Sequence, residues 1–296
     1  MAVNTLEFRS QLSNALDKKL MQTSVTDMLL DDGFRQKFVG AKTVLIPDVD
    51  FVGLADYNRD TGFTQGGVTV DQKSYTLSMD RGRTFSIDRE DMDEIGISNL
   101  AGQIMGEFVR TEVAPEVDAY TLSKIATTAS ANVKAETATA DNVYTQLITC
   151  INSALDASGY DADLVAFVNP TVWGYLQTSS QLQRMIRVDD FKRGELSFKV
   201  HKLNDCIIKP VQAARMKSSY TFGNDGFTPA GGAVDVQMLV LPRKGASLVK
   251  KSEKIRVFEP DQNQAMDAYK FDYRLYYDCL VKNSYKGTIF GTKAAS

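Results

Sequence analysis

Apolar positions recur along the chain with changing period, and each change marks an element. Near the C-terminus Tyr269, Phe271, Tyr273, Leu275, Tyr277, Cys279 and Val281 hold every second position. Lys270, Asp272, Arg274, Asp278 and Lys282 fill most of the alternate ones. Strict alternation is the pattern of a strand with one buried face. Thirteen residues in this phase predict a strand of about 44 Å at ~3.4 Å per residue. Ile97, Leu100, Ile104 and Phe108 follow helical spacing instead, and Val113, Val117 and Tyr120 resume it. A long helix is therefore expected over 88–130, with Asp88 as N-cap, Asp91 three positions on, and a kink or restart at Pro115. Such a helix spans roughly 50 Å, more than a small core needs.

Between VLIPDVDFVGL at 44–54 and VTVDQKSYTLSM at 68–79 lies the polar stretch NRDTGFTQGG. Two apolar segments running out to a glycine-bearing tip predict a long β-hairpin over 44–87. Tyr75, Leu77, Met79, Phe85 and Ile87 share one parity, whereas Val68 and Val70 have the other. A bulge or turn near Asp71 to Lys73 would reconcile them. An unsupported two-stranded ribbon is marginal in water, so this one needs its own domain or a neighbouring subunit to lie on. Residues 1–43 read as an N-terminal arm, with Leu12, Leu16 and Leu20 on one helical face and a break at Asp31–Gly33. That face suits either the chain's own body or a neighbour.

Residues 136–242 read as an α/β region. Asp141 is a candidate cap for a helix with Val143, Leu147, Ile151 and Leu155 on its face, ended by Gly159. LVAFV at 164–168 is a buried-type strand running into Asn169-Pro170, an N-cap followed by proline at the first helical position. The strand DCIIKPV, the glycine-rich loop FGNDGFTPAGG and the strand AVDVQMLVL follow. The loop lacks the spacing of either phosphate-binding glycine motif.

Composition and charge narrow the function. With 296 residues, 43% hydrophobic and 24% charged, the chain can bury a large core. A net charge of −3 argues against a dedicated nucleic-acid binder. The first residues mix charged and apolar positions, unlike a signal peptide, and no run of 18 apolar residues occurs, so no membrane partner is expected. Cys150, Cys206 and Cys279 are far apart and fit buried hydrophobes in a reducing compartment. The single histidine, His201, lies in a polar FKVHKLND context that suits a surface or strand-edge position. Asp88, Glu90, Asp91, Asp93 and Glu94 could suggest calcium, but the glycine of an EF-hand loop is missing; the dipole of a helix N-terminus explains them. No catalytic constellation, cofactor site or metal site is expected, which points away from an enzyme. From Arg89 to Lys124 the charge is −5, and from 243 to 256 it is +5. Glu107, Glu112 and Glu116 are thus expected to pair with Lys250, Lys251, Lys254 and Arg256, within one chain or between chains.

The ordered set of elements resembles a family. DRGRTFSIDREDMDE resembles the hairpin-to-spine-helix junction of tailed-bacteriophage major capsid proteins, the Hong Kong 97-type fold. RTEVAPEVDAYTLSKIA is similar to the later half of the spine, and FVNPTVWGYLQ to the strand-to-helix step of the axial domain. FEPDQNQAMDAYKFDYRLYYDCLVKNSYKGTIF resembles the closing strands of the peripheral domain. The resemblance implies an α+β fold: arm 1–43, extended hairpin loop 44–87, spine helix 88–135, compact α/β axial domain 136–242 and returning peripheral strands 243–296. It implies a shell of hexamers and pentamers around double-stranded DNA, assembled in a bacterial cytoplasm with a portal. Encapsulin-type compartments share the fold and enclose cargo enzymes. The hairpin would reach over an adjacent subunit through a flexible tip made of Asn58, Arg59, Asp60, Gly62, Phe63, Gly66 and Gly67. The loop holding Gly223, Asn224, Asp225, Gly226 and Phe227 would sit near the capsomer axis. Some relatives carry a long cleaved scaffolding segment; here a separate scaffolding protein, or none, is expected. Some form a lysine–asparagine cross-link, for which Lys73 would be the hairpin lysine and Asn283 a conceivable partner.

Overall fold

A computed structural model describes residues 23–30, 38–39, 43–60, 62–90, 97–179, 187–193 and 196–295. Leu12, Leu16, Leu20, Asp31–Gly33, Asp91, Asp93 and Glu94 lie outside the described residues. After a short 3-10 turn, Thr26–Leu29, come β1 (Phe38–Val39), β2 (Thr43–Phe51), β3 (Val68–Thr76) and β4 (Met79–Asp88). Helices α1 (Ile97–Phe108) and α2 (Ala114–Thr128) are joined by a π-helical turn, Val109–Val113. Then follow β5 (Val133–Ala135), α3 (Val143–Ser158), β6 (Leu164–Val168), α4 (Pro170–Thr178), β7 (Arg187–Arg193), β8 (Leu196–Leu203) and β9 (Cys206–Pro210). The chain ends with β10 (Tyr220–Gly223), β11 (Gly226–Pro229), β12 (Val236–Pro242), β13 (Ala246–Phe258), β14 (Ala268–Val281) and β15 (Phe290–Lys293).

The expected hairpin over 44–87 divides into two parts. β2 and β3 pair without a break from Thr43↔Thr76 to Phe51↔Val68. β4 leaves this ribbon after Leu77–Ser78 and joins β14 in a separate sheet ordered β13-β14-β4. The expected bulge at 71–73 is absent, because Asp71, Gln72 and Lys73 stay in register with Asp48, Pro47 and Ile46. The parity change is real but has another cause: the ribbon shows apolar side chains on opposite faces at its two ends. At the base Tyr75 packs on Val44, Val249 and Leu280. At the far end Val68 and Val70 point the other way and are exposed.

The long helix forms as expected and restarts at its proline. Pro115 has no N–H to give, and its ring conflicts with the carbonyl four residues earlier in an α-helix. The wider π turn at Val109–Val113 absorbs this conflict, and α2 begins with the proline in its first turn. Met105, Val109, Val117, Leu122 and Ile125 face inward against Phe271, Tyr273, Leu275, Tyr277 and Cys279 of β14. The alternation in β14 is therefore the imprint of the helix lying on it. Each such side chain contributes roughly 1.5–3 kcal/mol when fully buried. Phe108 reinforces the contact edge-on against Phe85 and Tyr273, with ring centroids 4.8 and 5.6 Å apart.

A seven-stranded sheet, ordered β5-β15-β12-β6-β9-β8-β7, forms the other half. Helix α3 packs Val143, Leu147 and Ile151 on one side of it, with Ala166, Val168, Met238 and Val240. Val165, Phe167, Leu239 and Leu241 point to the other side and join the core of the long helix. Burial on both faces is why LVAFV and VQMLVL read as unbroken apolar runs. Asn169 caps α4 as expected, its Oδ1 accepting from the Val172 N–H at 2.8 Å. Asn142, not Asp141, precedes α3, and its Oδ1 accepts from the Thr139 N–H at 2.7 Å. The expected loop at 222–232 contains a hairpin, β10 with β11, turning at Asn224-Asp225.

Candidate assembly interface

The β2–β3 ribbon ends in a built tip. Its ladder stops at Phe51↔Val68, and the strands close again where the Gly62 N–H donates to the Asn58 carbonyl at 2.8 Å. The Asn58 side chain accepts from the Asp60 N–H at 2.8 Å, and Gly62 has φ +81°, a conformation that favours glycine. Tyr57 and Phe63 meet edge-on across this turn, 4.9 Å between centroids. Arg59 and Asp60 are exposed beside this contact. Gly66 and Gly67 lie in the extended return strand, where the Val52 N–H reaches the Gly67 carbonyl at 3.2 Å.

The ribbon is also where apolar surface collects. Of the nine large apolar side chains exposed among the described residues, seven belong to it: Phe51, Val52, Leu54, Tyr57, Phe63, Val68 and Val70. Leu54 and Phe63 are 108% and 91% exposed, and a ribbon this thin has no core of its own to hide them.

At its base the ribbon is fixed by a buried carboxylate. Asp278 is fully buried and accepts from the Ser78 N–H at 3.0 Å, the Tyr120 hydroxyl at 2.8 Å and its neighbour's N–H at Cys279. It also pairs with the Lys124 ammonium. Burial opposes the charge of Lys124, but the hydrogen bond and charge of Asp278 outweigh it and hold this amine above its ordinary value. A second buried carboxylate, Asp118 of α2, joins three parts of the chain. It accepts from the N–H groups of Val25 and Thr26 at 3.0 Å, from the Ser24 and Thr26 hydroxyls at 2.7 Å, and from Arg215 Nη1 at 2.9 Å. Sequence reading missed both anchors. Asp118 carried a faint signal, an acid at helical spacing with Ala114, Leu122 and Ile125.

Among the described residues, the acidic helix and the basic strand are not seen to pair within the chain. Glu116 pairs instead with Arg81 of β4, at 2.7 Å, and Glu107 with Arg110. Glu112 is exposed. Lys254 and Arg256 oppose Arg274 and Asp272, on the sheet face away from the helix, so they cannot reach it. Lys250 is buried opposite Tyr277, and Lys251 is the extra residue of a bulge, its ammonium 5.9 Å from the Tyr276 ring centre. The 223–227 segment packs back onto the chain: Arg81 donates to the Gly223 carbonyl at 2.8 Å and Arg83 to the Asn224 carbonyl at 2.7 Å. Phe227 and Phe222 flank Tyr220, and Phe222 also meets Tyr120.

Among the described residues, no group of three or more His, Cys, Asp or Glu side chains is placed to hold a metal ion. His201 lies on β8 against Trp173, 4.8 Å between ring centroids. The three cysteines are free and buried, and burial pushes Cys150 up to about 11 and Cys206 and Cys279 to about 12. The geometry holds and presents surfaces.

No sequence-family model and no curated protein matches the chain. Solved structures match it nearly end to end. A structure from Mycobacterium phage Che8 superposes with a TM-score of 0.58 at 12% identity, over 91% of this chain and 90% of that one. The capsid of cyanophage P-SCSP1u gives 0.57 at 16% identity, over 88% and 85%. The fold is the Hong Kong 97-type capsid fold. The virus-like particle from Pyrococcus furiosus shares this capsid fold, with a TM-score of 0.53 at 12% identity and 97% of each chain covered. The capsid fold accounts for the order of parts found here: ribbon, long helix, α/β half, returning strands. No helix among the described residues is long and apolar enough to cross a membrane.

Proposed function

We propose that this chain is the major capsid protein of a tailed bacteriophage or prophage, a structural protein and not an enzyme. Copies assemble in the host cytoplasm into hexamers and pentamers of an icosahedral shell around double-stranded DNA. The observation that carries this reading is the near end-to-end capsid fold combined with a ribbon whose apolar side chains only another molecule can cover. In this assignment residues 44–76 are the extended loop, 97–128 the spine, 136–242 the axial domain, and 79–88 with 246–281 the peripheral sheet. The tip from Asn58 to Gly67 meets an adjacent subunit, and the 223–227 hairpin sits near the capsomer axis. A scaffolding protein and a portal are the further partners, and DNA is contacted without sequence readout.

Light scattering of the purified protein, with negative-stain images of the same fraction, tests this. Closed particles of megadalton mass are expected, alone or after adding the scaffolding protein. A discrete dimer or tetramer under both conditions would refute it. An encapsulin-type compartment is the second reading, favoured by the 97% mutual coverage with the Pyrococcus furiosus particle. Particles that retain a cargo protein and no nucleic acid would select it.

A further inference from the structure

Helix α3, β15 and the short edge strand β5 enclose a cavity of about 200 Å³. Gln146 of α3 and Thr292 of β15 line it, with only 7% and 2% of their surface exposed. Gln146 stands next to the inward-facing Leu147 and three positions after Val143, so it borders the buried face of α3. Thr292 is held in the ladder between Lys134 of β5 and Met238 of β12. Gln146 Oε1, Gln146 Nε2 and Thr292 Oγ1 are all buried and have no hydrogen-bond partner among the described residues. A buried donor or acceptor left unpaired costs its desolvation in full, and an apolar side chain of the same shape avoids that cost. Two such residues on the wall of one cavity call for an occupant that pairs with them.

The surroundings narrow the chemistry of that occupant. Pockets for drug-sized ligands hold about 300–1,000 Å³, so this one takes a smaller molecule, of a single ring. A glutamine amide is planar and offers an acceptor beside a donor, so its complement is a planar edge with a donor beside an acceptor. The last torsion of glutamine is broad, which lets the amide turn that edge toward an occupant. Phe290, half-buried on the cavity wall, supplies a flat apolar face. Lys134 and Glu136 also line the cavity, are exposed, and both act on the Cys150 thiol beside it. Their opposite charges give no preference for an anion or a cation.

We infer that this cavity binds a small, neutral, single-ringed molecule whose edge carries a donor beside an acceptor, as an aromatic carboxamide or a pyrimidine base does. The ring rests on Phe290, the edge pairs with the Gln146 amide, and the Thr292 hydroxyl meets a remaining polar group. The site lies in the α/β half, away from the ribbon, and its role is independent of shell assembly.

Calorimetric titration of the full chain, assembled or not, with nicotinamide and with cytosine tests this. At least one of the two is expected to bind with a dissociation constant of about 1 mM or tighter, and the tighter one names the source of the edge. Nicotinate, which keeps the ring of nicotinamide but loses the donor and gains a charge, should bind about tenfold more weakly than nicotinamide or worse. Gln146→Leu is expected to keep or raise the melting temperature, since it removes unpaired polar atoms, and to weaken binding by about tenfold or more. Thr292→Val keeps the shape without the hydroxyl and is expected to weaken binding about threefold, which serves if the Gln146 variant does not fold. Failure of both probes to bind overturns the inference, as does binding of nicotinate equal to that of nicotinamide. Binding that neither variant weakens also overturns it. So does a marked fall in melting temperature of folded Gln146→Leu, which would show that the amide has partners of its own.

Discussion

At the residue scale, the polar groups that matter most are those the chain has taken out of water. Asp278 is satisfied by donors from Ser78, Tyr120, Lys124 and Cys279, which is the condition for burying a carboxylate without large cost. The buried thiols respond to pH chiefly through burial, with the charges of Lys134 and Glu136 near Cys150, and of Lys124 and Asp278 near Cys279, as smaller causes. An open thiol ionises near 9.0, but Cys150 requires about 11, and Cys206 and Cys279 about 12. Between those limits protons leave only the unfolded chain. Stability is therefore full below pH 9 and falls as pH rises toward 12, by up to about 1.4 kcal/mol per pH unit for each thiol. Lys124 acts with the same sign, since its raised value makes its contribution full below 10.5 and lost as pH climbs further. Denaturant midpoints should be level from pH 7 to 9 and decline above. A level profile up to pH 11 would count against buried thiols, as would rapid reaction of the native protein with an aromatic disulfide reagent.

At the element scale, the ribbon and the long helix behave differently because one carries its own cover and the other does not. The helix buries its face on β14, whereas the apolar side chains of the outer ribbon, from Phe51 to Val70, are exposed. Replacing 58–67 by a two-residue turn should leave the melting temperature of the subunit within a few degrees, because only the Tyr57–Phe63 contact and a few tip hydrogen bonds are lost. The same change should abolish closed particles. Normal particles from the shortened chain would show that the tip plays no part in assembly. The contrast also explains what could be read from the sequence. Alternation in β14, the unbroken runs of β6 and β12, the Asn169-Pro170 cap and the restart at Pro115 are local signals, and each appears where expected. The parity change at Val68 and Val70 was visible but led to a bulge that does not exist, because sequence cannot say which face of a ribbon has a partner. The hairpin β10–β11 was hidden by its glycines. The pairing of Glu116 with Arg81, 35 positions away, could not be told from pairing with the basic strand, since net charge fixes sign but not face.

At the scale of the whole molecule, the two halves share material and do not stand as separate bodies. Strands β6 and β12 contribute alternate side chains to both cores, so neither core survives the loss of that sheet. Asp118 extends the coupling: its one carboxylate holds residues 24–26, sits on α2, and pairs with Arg215 just before β10. These partners lie 92 to 97 positions away in the chain, which is why no local pattern betrayed the role. Removing the carboxylate with Asp118→Ala leaves Arg215 buried without its counter-charge and leaves the N–H groups of Val25 and Thr26 without this acceptor. Breaking a buried pair in this way costs about 3–5 kcal/mol. Because the parts are coupled, the loss should lower a single unfolding transition in calorimetry, with its steepness kept, and should not split it in two. Hydrogen exchange at residues 24–29 should rise further than the global loss accounts for, since their anchor is gone while the sheet remains. Two separate transitions in the wild-type subunit would show that the shared sheet does not couple the halves. A loss below about 1 kcal/mol in the variant would show that water replaces the carboxylate and that residues 24–26 are held by Met28 and Leu29 packing alone.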